Sequence, residues 1–201
     1  MTPLNFIIAV GLTILRSTLA ADAGWQEGRA TWFDIYNNDL TTANCHFRWD
    51  QVKTGNYIGA FSDANPMFAK SCGMCIELRC QNAVIVDGYG ESLDRSKSCR
   101  DPSRSIYVTI GDACPCDYPA NQHSNKRWCC GDGRRPHIDI TRDAFAQLAD
   151  LSIGVIGLQY RIVDCNTPMP TFASFPPIVP VKQLADFDAM AAKLKQQLIV
   201  T

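Results

Sequence analysis

The sequence is short of histidine, of net charge and of long apolar runs, and each shortage removes a class of function. Only three histidines, His46, His123 and His137, occur in 201 residues, so few imidazoles exist to complete a tetrahedral metal site with cysteine. The pairs Cys72-x-x-Cys75 and Cys114-x-Cys116 have ligand-like spacing, but the adjacent Cys129-Cys130 is awkward for chelating one ion. No metal and no cofactor are expected. A formal net charge of -1 provides no basic surface of the kind a nucleic acid requires, and it suits a neutral polymer better. The apolar run Leu4 to Leu15 falls short of the roughly 20 residues a membrane-spanning helix needs. It has the length of a signal-peptide core, and the small residues of Ser17 to Ala23 offer a cleavage site, which places a signal peptide over residues 1–23. No Lys or Arg precedes the run and Arg16 follows it, so an uncleaved anchor is the competing reading. Later segments contain no span, no repeat and no low-complexity tract, and no stable membrane anchor is expected.

Cysteine, by contrast, is abundant. Ten cysteines behind a signal segment meet an oxidising compartment, where disulfides form and persist, so a secreted, stapled domain is expected over residues 24–165. Strand-like alternation dominates it. Ile106, Val108 and Ile110 alternate with Tyr107 and Thr109 as in a half-buried strand, and the same period runs through Cys75–Cys80 and Leu158–Val163. Ala83–Val86 reads as a short, fully buried strand, and Gly28–Ile35 as another near the start. One helix is predicted after Thr141, which can cap it, with Asp143 in its first turn and Phe145, Leu148 and Ala149 as its apolar stripe. Beyond Cys165 the chain turns proline-rich, an extended strap over 166–181. Residues 182–201 then place Leu184, Phe187, Ala191, Leu194 and Leu198 on one helical face, which suits docking on the domain or self-association. A membrane surface is the sharper alternative.

Four stretches, in order, carry a family resemblance: Gly28-Arg29-Ala30-Thr31-Trp32-Phe33; Cys72-Gly73-Met74-Cys75-Ile76-Glu77-Leu78-Arg79-Cys80; Val108-Thr109-Ile110-Gly111-Asp112-Ala113-Cys114-Pro115; and His137-Ile138-Asp139-Ile140 continuing to Val163-Asp164-Cys165. Together the segment resembles the barrel domain shared by expansins and family 45 endoglucanases. The resemblance implies an all-β, six-stranded double-psi β-barrel with one short crossover helix and an open groove for a glucan chain. It also implies the bridges Cys45–Cys72, Cys75–Cys165 and Cys80–Cys99. Cys114, Cys116, Cys129 and Cys130, around an inserted loop from Pro115 to Trp128, are left to pair in unknown order. Plant expansins carry a second, immunoglobulin-like domain, for which no room is expected after Cys165, and weak binding to crystalline cellulose follows.

Glycosidic hydrolysis ordinarily uses two carboxyl groups flanking the bond, one protonated and one ionised. Asp139 matches the acid position of the endoglucanases, which expansins retain, although a carboxylate leading into the helix turn is the plainer role. Asp112 is the second family-matched carboxylate, expected beside Asp139, where like charge would raise one of the two pKa values. The base does not match: its position and that of the accompanying tyrosine are taken by Ile35 and Phe33. Asp34 lies one residue off and should face the other way on a strand. Thr31 matches the groove threonine. Trp32, Phe33, Tyr36, Trp49, Tyr118 and Trp128 are candidate surfaces for sugar C–H faces, with Trp128 expected to be the most exposed of the loop positions.

The resemblance therefore points to a secreted, monomeric, expansin-like cell-wall protein that binds β-glucan, cellulose or hemicellulose and loosens the wall, with hydrolysis not expected. The alternatives are an endo-β-1,4-glucanase using Asp139 as acid with Asp34, Asp39 or an amide as base, and a secreted carbohydrate-binding defence or signalling protein.

Overall fold

A computed structural model describes residues 24–132 and 135–168. The expected signal peptide, the strap beyond residue 168 and the terminal amphipathic helix lie outside the described residues.

Nine strands and two short helices follow one another in the order β1 (Gln26–Ala30), β2 (Trp32–Phe33), β3 (Ile58–Ser62), β4 (Cys75–Gln81), β5 (Ala83–Val86), β6 (Ser92–Arg95), β7 (Ser105–Cys114), α1 (Gln122–Trp128), β8 (Ile138–Thr141), α2 (Arg142–Leu148) and β9 (Ile156–Val163). Seven strands form one sheet in the order β1-β9-β4-β7-β3-β8-β2. Its two ends, β1 and β2, are successive pieces of one chain segment, broken only at Thr31. The segment pairs antiparallel with β9 before the break and parallel with β8 after it, so the sheet closes on itself. Counting the broken segment as one strand gives a six-stranded barrel, and the parallel β2–β8 and β3–β7 pairs sit within otherwise antiparallel neighbours.

Alternation decides what fills the barrel. Ile76 and Leu78 on β4, Ile106, Val108 and Ile110 on β7, Ile138 and Ile140 on β8, and Ile156, Leu158 and Tyr160 on β9 meet Phe61 of β3 in one cluster, roofed by Phe145 and Leu148 of α2. Each such side chain contributes roughly 1.5–3 kcal/mol by leaving water.

Three expectations change. The strand containing Tyr107 is buried on both faces, because Thr109 is covered by the Thr54 turn, whose hydroxyl lies 2.9 Å from that of Thr109. Ala83–Val86 is not fully buried: it pairs only with β6 as an outlying ribbon that turns Ile85 inward and leaves Val84 exposed. Thr141 stands at the N-cap of α2 but makes no side-chain cap bond. Its hydroxyl donates to Asn56 O and accepts from Ile58 N, fastening the start of β3 instead. The helix α1 in the inserted loop was not expected, since Gln122–Trp128 has no apolar stripe and buries no residue.

Disulfides anchor what the core does not reach. Cys45 joins Cys72, Cys75 joins Cys165 and Cys80 joins Cys99, while the loop cysteines pair as Cys114–Cys129 and Cys116–Cys130. The end of α1 is also pressed against Gly88, whose N–H donates to Arg127 O at 2.7 Å. A Cβ at that position would come within 2.1 Å of Lys126 O, so only glycine permits this docking.

Candidate functional site

The side chains of His137, Asp139 and Thr141 fall on one side of β8, while Ile138 and Ile140 fill the barrel. Asp139 lies opposite Ala60 of β3, and Ala60 on its other side pairs with Asp112 of β7. The two carboxylates therefore stand in one cross-strand row, separated by a single alanine, with Cα atoms two strand spacings or roughly 10 Å apart. The break in the first strand sets the third member. At Thr31 the chain changes partner from β9 to β8, and its hydroxyl reaches Asp139 Oδ1 at 2.9 Å and His137 Nε2 at 3.0 Å. Asp112 is held differently: its Oδ1 accepts the backbone N–H groups of Asn44 and Ala113, both at 2.8 Å.

Burial dominates the electrostatics. Asp139 keeps part of its surface open to solvent, yet the protein packed around it pushes its pKa up to about 7, against the hydrogen bonds from Thr31 and the Ile140 amide, with Asp112 adding a smaller push. The expected effect of like charge is present, but desolvation leads it. His137 has no exposed surface. Its pKa is driven down to about 3, first by burial and then by the neighbouring Arg29, so the imidazole is neutral.

The burial has a visible source. Ala60, Cys114 and Cys129 form a small cluster with Phe33 packed against it, so the Cys114–Cys129 bridge and the Phe33 ring cover the row beside Asp139. Arg29 clasps this loop to the barrel. Fully buried, it donates to Val86 O, to Arg127 O at 3.3 Å and to Trp128 O at 2.9 Å. Arg127 in turn pairs with the buried Asp87 at 2.6 Å and with Glu91 at 2.5 Å.

Hollows open on either side of Asp139 along β8. One, of about 340 Å³, includes His137, Ser62, Asn65, Arg135 and Tyr160 in its wall. The other, of about 120 Å³, includes Phe33, Asp34, Ile35, Trp49, Thr141 and Asp143. Asp139 lines neither. Among the described residues, the positions considered for a base turn elsewhere. Ile35 packs on the cluster of Leu40, Val52 and Ile58; Asp39 caps the short turn at Leu40–Thr42, accepting from Thr41 N and Thr41 Oγ1. Asp34 lies past the end of β2, exposed in the smaller hollow.

The aromatic candidates separate by exposure. Tyr36 is 75% exposed and Tyr118 49%. Trp128 is half-buried instead, flanked by the Arg29 and Arg127 guanidinium groups 5.9 and 5.0 Å from its ring, because the loop folds down onto β1. Trp32 turns to the opposite face from Thr31 and Phe33, packs on the main core and donates from Nε1 to Leu151 O at 3.1 Å. Trp49 donates to Asn38 O at 3.0 Å and walls the smaller hollow. Neither His137 nor Arg29 stands out as a site residue in the sequence. Alternation could have found the first, since a residue two before Asp139 shares its face.

The closed sheet with its two parallel pairs and the Thr31–Asp139 row define a double-psi β-barrel domain. Residues 26–160 match the double-psi β-barrel family model described as lytic transglycolase, and the chain belongs to that family. Over this domain it is similar to expansins. Expansin-A32 of Oryza sativa subsp. japonica is 25% identical over 143 residues, covering 70% of this chain and 48% of the relative. Expansin-A17 of the same plant is 31% identical over 147 residues, covering 71% and 46%. The chain thus spans about half the length of the relatives it matches. Among solved structures, the apo expansin of Clavibacter michiganensis aligns at 20% identity with a TM-score of 0.42, covering 73% of this chain and 54% of that one.

Proposed function

We propose that the chain is a secreted cell-wall protein that binds β-glucan along the β8 face and loosens the wall without hydrolysing it. The observation that carries this reading is a protonatable acid without a facing base. Asp139 is poised near neutrality beside Thr31, whereas the carboxylate that bears on it, Asp112, rises from the same sheet floor across Ala60. Hydrolysis calls for carboxyl groups on either side of the scissile bond, and two neighbours on one floor do not flank a chain lying over it. An uncharged Asp139 is instead a hydrogen-bonding group without the desolvation cost of a carboxylate, suited to competing with the hydroxyl–hydroxyl bonds between glucan chains on the acid side of neutrality. Tyr36, exposed on the loop after β2, and Tyr118, on the inserted loop, supply apolar surface for sugar rings.

The domain plan belongs to the same proposal: residues 1–23 direct export, 24–165 form the working barrel, 166–181 a strap and 182–201 a docking helix, with the protein acting as a monomer. Partition of the protein onto insoluble β-glucan, with extension of clamped wall strips under constant load, tests it. Retention on glucan and faster extension without soluble sugar are expected; no retention on any β-glucan would overturn the reading in favour of a defence or signalling role. The raised Asp139 pKa is the one feature that favours the endoglucanase alternative, with Asp139 as acid, and the sugar released in the same assay separates the two.

A further inference from the structure

Thr31 has one hydroxyl proton and two polar neighbours, Asp139 Oδ1 at 2.9 Å and His137 Nε2 at 3.0 Å. It can donate to only one. When Asp139 is ionised, the proton points to Oδ1, and Nε2 must carry a hydrogen to complete the chain by donating to Oγ1. The imidazole is neutral, so Nδ1 is then bare. When Asp139 carries a proton on Oδ1, the direction can reverse: Oδ1–H donates to Oγ1, Oγ1–H donates to Nε2, and the imidazole hydrogen sits on Nδ1. The other ring nitrogen offers no competition, because Nδ1 is buried with no hydrogen-bond partner. A histidine whose second nitrogen was fixed by a carbonyl or carboxylate would be locked in one tautomer; this one is not.

We propose that Thr31 couples the His137 tautomer to Asp139, so that the position of the imidazole hydrogen follows the protonation of the groove carboxyl. The step balances. Relative to the ionised state, Asp139 gains one proton from solvent at its open edge, the Thr31 hydroxyl turns from Oδ1 to Nε2, and the single imidazole hydrogen sits on Nδ1 in place of Nε2. The imidazole ends neutral, and the net gain is one proton on the carboxyl.

The charged neighbours are accounted for from each packed element. On β1, Arg29 disfavours a doubly protonated imidazole and is held by three carbonyls. On β7, Asp112 acts on Asp139. Preceding β8, Arg135 lines the same hollow as His137 but is paired with Glu27 at 3.1 Å. From β3, Ala60 pairs with Asp139 and Ser62 N donates to His137 O at 3.3 Å, and neither is charged. His137 is a positioning residue in this scheme, since it acts through Thr31.

The test reads the tautomer and needs no activity. The whole protein, labelled with ¹⁵N at histidine, is titrated from pH 5 to 9 while long-range proton–nitrogen correlation distinguishes Nδ1–H from Nε2–H; His46→Gln and His123→Gln assign the signals. His137 should pass from Nδ1–H to Nε2–H with the same midpoint as the Asp139 carboxyl carbon. Thr31→Val should abolish the pH dependence of the tautomer, and Thr31→Ser, which keeps the hydroxyl, should restore it. One tautomer held throughout the titration would overturn the proposal, since it would mean that the proton rests on Oδ2 and leaves the Thr31 hydrogen bond unchanged. A switch that persists in a folded Thr31→Val protein would overturn it as well.

Discussion

Thr31 Oγ1 sits 2.9 Å from Asp139 Oδ1 at the point where the first strand leaves one partner for another. The bond favours the ionised carboxyl, against the burial that raises its pKa. Thr31→Val should therefore move the Asp139 midpoint above its present value of about 7, and it should cost about 1–3 kcal/mol, because it strands the buried His137 Nε2 and takes a hydrogen bond from Asp139. Carboxyl-carbon NMR titration and urea unfolding check the two parts. A midpoint that falls would show that the hydroxyl does not donate to Asp139.

Asp139 and His137 give opposite slopes to stability against pH. The folded state holds a proton on Asp139 that the unfolded chain, at 3.8, releases, so stability falls as pH rises from about 4 to about 7. The folded state refuses a proton on His137, at about 3, that the unfolded chain accepts below 6.5, so stability rises across that interval. Between about pH 4.5 and 6.5 the two cancel. Wild-type unfolding midpoints should be nearly flat there. In Asp139→Asn the falling limb is gone, and stability should climb by about 1.4 kcal/mol per pH unit, a ceiling reached only where the unfolded imidazole is fully protonated and the folded one is not. Parallel curves for the two proteins would contradict both assignments.

The two loop bridges should be equal in stability and unequal in effect on the site. They close 15 and 14 residues, worth about 3 kcal/mol each by loop entropy. Only Cys114–Cys129 packs on Ala60. Replacing that pair with alanines should admit water to the row and bring the Asp139 midpoint down towards the ordinary carboxyl range, while Cys116→Ala with Cys130→Ala should leave it in place. Thermal unfolding and the same NMR titration measure both.

Exposure sorts the aromatic residues into two kinds. Tyr36→Ala and Tyr118→Ala remove rings that are 75% and 49% exposed and should weaken partition onto insoluble β-glucan several-fold with stability changes within about 0.5 kcal/mol. Trp32→Ala removes a core-packed, hydrogen-bonded indole and should cost about 3–5 kcal/mol. Equal loss of glucan retention in all three, with folding intact, would mean that the platform is misplaced.

Much of this was legible in the residues. Alternation through Cys75–Cys80, Ser105–Ile110 and Leu158–Val163 gives strands where β4, β7 and β9 stand, because successive side chains point to opposite faces and the barrel-facing set must be apolar. The unexpected parts depend on partners remote in sequence. Arg29 looks like a solvent-facing strand residue, and nothing near it announces carbonyls at positions 86, 127 and 128. Thr141 reads as a cap until β3 arrives to take its hydroxyl. Helix α1 has no periodic signal, since two disulfides and Gly88 hold it in place of an apolar stripe. The motif marks the acid, but the burial that raises its pKa depends on how strands and loop pack around it and required the fold.

Reducing-end release from amorphous cellulose, measured side by side for the wild-type protein and Asp139→Asn, is the most direct test of binding without hydrolysis. We expect both to stay at background while the wild type is retained on the glucan. Release by the wild type that disappears in Asp139→Asn would contradict the account and identify Asp139 as the acid of a glucanase.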